Sequence, residues 1–247
     1  MNVSATKAQR PTPQPKTDGV RPRFREMEPN ENFDPETNPY LLSHKEFGEE
    51  LLSAGEAWPW RGRWAERFGR VAPLVVEVGA GVGDFFAALA TLCPDRNHVG
   101  VELRYKRCVR IASRIRQAGV RNAVAVRYHA AYLDDLFEDG SVDTLWLNHP
   151  DPWPRDRQEK HRLVAPWFLQ DCARLLRTGG SLYLRTDADH HIDALDAMLP
   201  DLPFEVTGRE DDLHNNPPPW TPPISTHYQN KMRTLGRRVR AVALRRR

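Results

Sequence analysis

Residues 74–84 read Leu74-Val75-Val76-Glu77-Val78-Gly79-Ala80-Gly81-Val82-Gly83-Asp84. Leu74 to Val78 is an apolar run interrupted only by Glu77, the pattern of a buried strand. Glycines at alternate positions then permit positive φ and let a ligand approach the backbone closely. Phe85, Phe86, Leu89 and Leu92 follow at helical spacing, so the stretch is strand, glycine turn, helix. Such a turn by itself serves a pyrophosphate, a nucleoside or only a tight bend. Glu77 narrows the choice, because an acid at the end of a buried strand costs free energy unless it meets a cation or donors. It would repel a dinucleotide's phosphates and attract the amino group of an amino-acid-bearing nucleoside.

The pattern continues downstream. His98-Val99-Gly100-Val101-Glu102 predicts a second strand ending in an acid, at about the 20-residue spacing where acids hold ribose hydroxyls in nucleoside-binding α/β folds. Arg104 to Ala118 predicts an amphipathic helix with Val109, Ile111 and Ile115 inward, and Arg121 to Tyr128 a third strand closed by His129-Ala130-Ala131. Val142 to Leu147 is the fourth strand. A helix from His161 to Leu176, stopped by Gly179-Gly180, leads to a fifth strand, Ser181 to Leu184, ending at Arg185-Thr186-Asp187. Another helix spans His191 to Leu199. Phe204 to Thr207 and Arg237 to Leu244 add antiparallel strands at one side, with the Pro-rich loop Asn215 to Pro223 between them and Trp220 as a packing anchor. Strand–helix alternation of this kind argues an α/β fold with a parallel, helix-covered sheet. Upstream, Tyr40 to Arg70 carries helical patterns (Phe47, Leu51, Leu52, Trp58, Trp60, Trp64, Phe68) that would cap the domain.

After the fourth strand comes Asn148-His149-Pro150-Asp151-Pro152-Trp153-Pro154. Two prolines flank Asp151; each fixes its own φ and biases the residue before it away from helix. The expectation is a stiff, extended loop presenting a carboxylate, with the Trp153 ring two residues on. That pairing suits a flat, polar ring.

The chain has 247 residues, enough for one sizeable α/β domain, and a mean hydropathy of −0.65. No segment approaches the roughly 18 apolar residues of a membrane span, and no apolar signal core stands at the N-terminus. Cys93, Cys108 and Cys172 are scattered without metal-type spacing and read as reduced thiols of a cytoplasmic protein. The net charge of +3 is made of +5 in residues 1–25, +8 in residues 230–247 and −10 between them. Basic ends on an acidic body suggest a polyanion held at the edge of the core. Residues 1–40, rich in Pro and charge, are expected to be a disordered basic arm.

Taken together these residues resemble the bacterial tRNA (guanine-N7)-methyltransferases, over about residues 73 to 242. Glu77 to Gly83 is similar to that family's cofactor loop and Gly100-Val101-Glu102 to its ribose-binding acid. Pro150-Asp151-Pro152-Trp153-Pro154 with the basic run behind it is the most specific match. Gly179-Gly180 through Thr186-Asp187, and Thr226-His227-Tyr228-Gln229 with Gly236, resemble its two later motifs. The resemblance implies a Rossmann-like class I methyltransferase domain over residues 41–247, with a mostly parallel seven-stranded sheet, helices on both faces and an antiparallel C-terminal strand. It implies S-adenosyl-L-methionine as cofactor, tRNA as partner, no metal and no membrane. It further implies a cytoplasmic monomer or homodimer that methylates guanine 46 of the tRNA variable loop.

Site residues carry over in the same way. Glu77, Gly79, Gly81, Gly83, Glu102, Ala130 and Asp151 would bind the cofactor, and Asp151 would also be the catalytic carboxylate at the guanine. Arg155, Asp187, Thr226 and Gln229 would contact the target nucleotide. Arg157, Lys160, His161 and Arg162 would contact the RNA. Ala130 stands where the family has an Asp before Ala, Gln229 where it has Glu, and Asp156 and Glu159 dilute its basic run. Two other readings use the same residues. One is a methyltransferase for another nucleic-acid base, although exocyclic-amine enzymes use a loop with consecutive prolines. The other is a non-catalytic RNA-binding protein on a methyltransferase fold, against which Glu77, the three glycines, Glu102 and Asp151 all speak.

Overall fold

A computed structural model describes residues 39–44, 46–155, 158 and 161–247. The basic arm therefore lies outside the described residues up to residue 38, and so do Arg157 and Lys160. Pro39 and Tyr40 already belong to the first helix, α1 (Pro39–His44).

The chain proceeds through β1 (Leu51–Leu52), α2 (Ala54–Ala57), α3 (Trp64–Arg67), β2 (Leu74–Val78), α4 (Asp84–Leu92), β3 (Asn97–Glu102), α5 (Tyr105–Ala118), β4 (Ala123–Arg127) and β5 (Val142–Asn148). It continues with α6 (Pro166–Leu175), β6 (Leu176–Thr186), α7 (Asp189–Met198), β7 (Phe204–Glu210), α8 (His227–Thr234) and β8 (Arg240–Arg246). One sheet has the order β1-β4-β3-β2-β5-β6-β8-β7. Strands β1 to β6 pair in parallel, and β8 runs antiparallel to both β6 and β7. All seven strands read from the sequence are present. The eighth, β1, comes from Leu51 and Leu52, which the sequence placed in a helical pattern. They instead pair with Ala125 and Val126 as a two-residue edge strand, and both are buried.

Strand alternation decides what faces what. Leu74, Val76 and Val78 enter the large core cluster with Phe168, Leu169 and Cys172 of α6. Val75 points the other way, to Phe85 and Leu89 of α4 and Trp146 of β5. By the same alternation Glu77, two residues on, lies on the α4 side. Trp146 stacks on its register partner Tyr183 at 4.3 Å and 18°, and Tyr183 in turn on Trp220 at 6.2 Å and 15°. Trp220 is thus the anchor of its Pro-rich loop. Trp64 donates from Nε1 to Leu136 O at 2.8 Å and stacks on Phe137, so the upstream aromatics do cap the domain.

Helix α6 is shorter than the reading from His161 to Leu176. It starts at Pro166, whose missing N–H is no loss at a helix start. It ends before Leu176, which already pairs with Val142 in β6. Gly179-Gly180 consequently sits inside β6, where the register shifts, rather than stopping the helix.

Candidate active site

The strand order reverses between β2 and β5, where β3 leads away on one side and β6 on the other. Ligands of open α/β sheets bind at such a switch point, beyond the C-terminal strand ends. Two adjoining cavities of about 280 and 450 Å³ open there, and Gly79, Arg107 and the Asn148–Asp151 stretch line both.

The larger cavity is bounded by Glu102, His129, Ala130, Trp153 and Trp167. Glu102 is tied to its surroundings: Oε1 accepts from the N–H groups of Leu103 and Arg104, and Oε2 from Gly81 N–H at 3.1 Å. Arg107, one turn into α5, faces Oε2 at 3.6 Å. Glu102 and the glycine turn therefore form one unit. Gly83 closes that turn at φ 82°, where a Cβ would lie 2.8 Å from the Ile111 Cα. Its absence of a side chain lets α4 pack against α5.

The smaller cavity runs from Glu77 and the glycine turn to Asp187, Thr226 and Tyr228. Glu77 is buried, and its Oε1 accepts from Asn148 Nδ2 at 2.8 Å while Oε2 has no partner. Burial pushes its carboxyl up to about 7, against the pull of Asn148 and Arg185. Asn148 Oδ1 is also buried and unpartnered. A buried carboxylate oxygen and an amide oxygen, both without donors beside backbone-lined glycines, fit the ammonium end of S-adenosylmethionine. Arg185 lies beneath, fully buried over the Phe85 and Trp146 rings at 4.8 and 5.1 Å, with Nη1 donating to Ile224 O at 2.8 Å. Burial brings its pKa down to about 10.

Asp151 is exposed at the mouth shared by the two cavities. The loop bearing it is bent rather than extended: His149 and Trp153, each followed by proline, adopt φ of 48° and 41°. Non-glycine residues in this region cost about 1–3 kcal/mol each, so the surroundings must impose it. His149 N–H donates to Arg185 O at 2.7 Å, and Pro152 O and Trp153 O accept from His190 and Arg162.

His149 was not singled out by sequence, yet it lines both cavities. Its buried ring lies 4.8 Å from Tyr228, with Nδ1 3.7 Å from Asp187 Oδ1 and no hydrogen-bond partner on either nitrogen. Burial pushes its pKa below the usual histidine value. Burial acts to raise Asp187, but His149 and Arg237 outweigh it and hold the carboxyl below its ordinary range. Arg237 Nη2 is 3.0 Å from Asp187 Oδ2.

Of the other residues proposed from sequence, Thr226 lines the smaller cavity while its Oγ accepts from Gln229 N–H at 2.8 Å, capping α8. Gln229 itself is buried behind that cap, lines neither cavity, and its Oε1 has no partner. Its expected contact with substrate is therefore not open here, because the helix turn directs it inward. Arg155 is exposed and outside both cavities, its N–H facing Gln158 Oε1 at 3.4 Å. His161 lines the larger cavity against the Trp153 ring, and Arg162 is engaged on the Trp153 carbonyl. Sequence reasoning missed Arg107, Asn148, His149, Arg185, Tyr228 and Arg237. A cation directly after an apolar strand was the available signal for Arg185. Among the described residues no His/Cys/Asp/Glu cluster could hold a metal ion, and no helix is long and apolar enough to cross a membrane.

A family model described as "Putative methyltransferase" matches residues 71–242. A tRNA (guanine-N(7)-)-methyltransferase of Geobacillus kaustophilus (strain HTA426) is 35% identical over 179 residues, covering 72% of this chain and 82% of that protein. Its counterpart in Bacillus subtilis (strain 168) is 31% identical over 204 residues, covering 80% and 95%. Among solved structures, the 16S rRNA methyltransferase KamB shares the fold, with a TM-score of 0.58 at 15% identity over 75% of this chain and 93% of that one.

Proposed function

The chain belongs to the tRNA (guanine-N7)-methyltransferase family, and from that premise we propose that it transfers the methyl group of S-adenosyl-L-methionine to N7 of guanine 46 in the tRNA variable loop, in the cytoplasm. The observation that supports the reading is the junction of the two cavities at Asn148–Asp151, one running from Glu77 to Asp187 and Thr226 and the other bounded by Glu102; Glu77 and Glu102 would face the cofactor, and Asp151, Asp187 and Thr226 the base.

S-adenosyl-L-methionine supplies a methyl group already activated by the positive charge on its sulfur. Guanine N7 has a free in-plane lone pair and no proton, so the protein need not provide a general base. What it provides is alignment, worth roughly 7–11 kcal/mol in well-oriented reactions. Glu77 and Asn148 take the ammonium end, Glu102 the ribose hydroxyls, and the surface at Ala130 the adenine. Asp151 accepts from the N–H donors of guanine and favours the positive charge that the ring acquires. Thr226 keeps its hydroxyl proton to donate, because its oxygen serves the helix cap as acceptor. Asp187, fixed by Arg237, orients the base from the far wall.

Incubation with labelled S-adenosylmethionine and unmodified bulk tRNA, followed by cleavage mapping of N7-methylguanine, tests this. Label at guanine 46 is the expected result. Label at another base would overturn the substrate, and no transfer together with no cofactor binding would leave an RNA-binding protein.

A further inference from the structure

Asp151 makes no hydrogen bond or ion pair with another described residue, so the backbone on either side sets its position. That backbone is held from outside at two carbonyls. His190, the second residue of α7, places Nε2 2.7 Å from Pro152 O. A carbonyl only accepts, so this nitrogen carries the proton. Arg162 Nε donates to Trp153 O at 3.0 Å. The two contacts bracket the loop's second left-handed residue, Trp153 at φ 41°, and its other end is pinned where His149 N–H meets Arg185 O. Released from these contacts, residues that precede proline return to extended backbone, which moves the Asp151 carboxylate off its place.

We propose that His190 and Arg162 form a clasp on the Asp151 loop and are positioning residues for methyl transfer. They act through the loop's backbone and touch neither cofactor nor base. The proposal rests on Asp151 being the carboxylate at the guanine. It gives the Arg162 Nε a place on the loop that a freely solvated RNA-contacting arginine would not need. It also gives His190 a function that a helix-start histidine facing solvent would lack.

The test is steady-state kinetics with tRNA on the full chain, paired with cofactor binding and thermal melts. His190→Ala is expected to lower kcat about 10- to 100-fold, the usual consequence of an ångström-scale misplacement, with cofactor affinity and melting temperature nearly unchanged. His190→Gln, whose amide nitrogen reaches the Nε2 position, should restore most of the rate, whereas His190→Asn, which mimics only Nδ1, should not. In an Asp151→Asn background His190→Ala should add no further loss, because both changes act through one group. Arg162→Lys keeps the charge but loses the Nε donor, and is expected to lower kcat with KM for tRNA unchanged. Full activity in His190→Ala, or equal rates in the Gln and Asn variants, would overturn the clasp. Unimpaired turnover in Asp151→Asn alone would instead overturn the role of Asp151.

Discussion

Asn148 Nδ2 donates a 2.8 Å hydrogen bond to Glu77 Oε1, joining the C-terminal ends of β5 and β2 across the switch point of the sheet. The bond satisfies one carboxylate oxygen and leaves the other buried and open. Glu77 is therefore a buried carboxyl with one oxygen open to a cation, and under the proposed function its titration should follow cofactor binding.

With its pKa raised to about 7, chiefly by burial, Glu77 is protonated below that value and charged above it. An ammonium group favours the charged form, so cofactor affinity should rise as pH increases through about 7. Without cofactor the sign reverses: the group's stabilising contribution is complete below the ordinary glutamate value of about 4.3 and is lost as pH rises through the folded value. Glu77→Gln should weaken cofactor binding by about 1.5–3 kcal/mol, the worth of a charge-assisted hydrogen bond, and flatten its pH dependence. Calorimetric titration of both forms across this range checks it; the same slope in the variant would count against Glu77.

Gly83→Ala would place a Cβ 2.8 Å from the Ile111 Cα at a φ of 82°. Neither backbone can yield cheaply, so a loss of about 2 kcal/mol or more is expected. Urea unfolding should show it as a lower midpoint, together with weaker cofactor binding as the turn shifts. Wild-type stability would mean that α4 and α5 can part without cost.

Arg237 is about half exposed, so its pair with Asp187 should contribute no more than about 1 kcal/mol to folding. Its effect belongs to the site. Removing the cation in Arg237→Ala lets the Asp187 carboxyl rise, and the acid limb of the kcat/KM profile should move to higher pH. An unmoved limb with reduced activity would place Arg237 on the RNA instead.

The C-terminal strand lies in the basic end of the chain, yet its side chains are engaged. Arg246 Nη1 donates to Leu176 O, Arg247 Nη2 to Leu202 O, and Arg245 faces Glu205. Arg246→Ala should cost about 1–2 kcal/mol of stability as carbonyls lose their donor, with the salt dependence of tRNA binding unchanged. A slope reduced by about one unit would instead place Arg246 on a phosphate.

Much of the site was legible because local rules wrote it. Glycines at alternate positions after an apolar run could hardly be anything but a turn beyond a strand, and acids ending two such runs had to meet a cation or hydrogen-bond donors. Less legible was α8, although Thr226 and Gln229 stand at the spacing of a helix N-cap signature. Its cap geometry, which turns Gln229 away from the cavities, follows from that spacing rather than from the resemblance. Leu51 and Leu52 likewise offered no periodicity by which two residues could declare themselves a strand.

By itself the sequence determined the alternation of strands and helices, the parallel sheet and the place of the acids Glu77 and Glu102 near two strand ends. Those follow from periodicity and from what an isolated residue type can tolerate. Only the tertiary structure decided which charges meet. Arg185 lies 108 positions after Glu77 and His190 stands 38 after Pro152, and neither partner is specified until the sheet order sets β2, β5 and β6 side by side. The bend of the Asp151 loop was decided there too. Proline restricts its neighbours, but the left-handed choice at His149 and Trp153 is held by contacts from β6, α7 and Arg162, which no local rule contains.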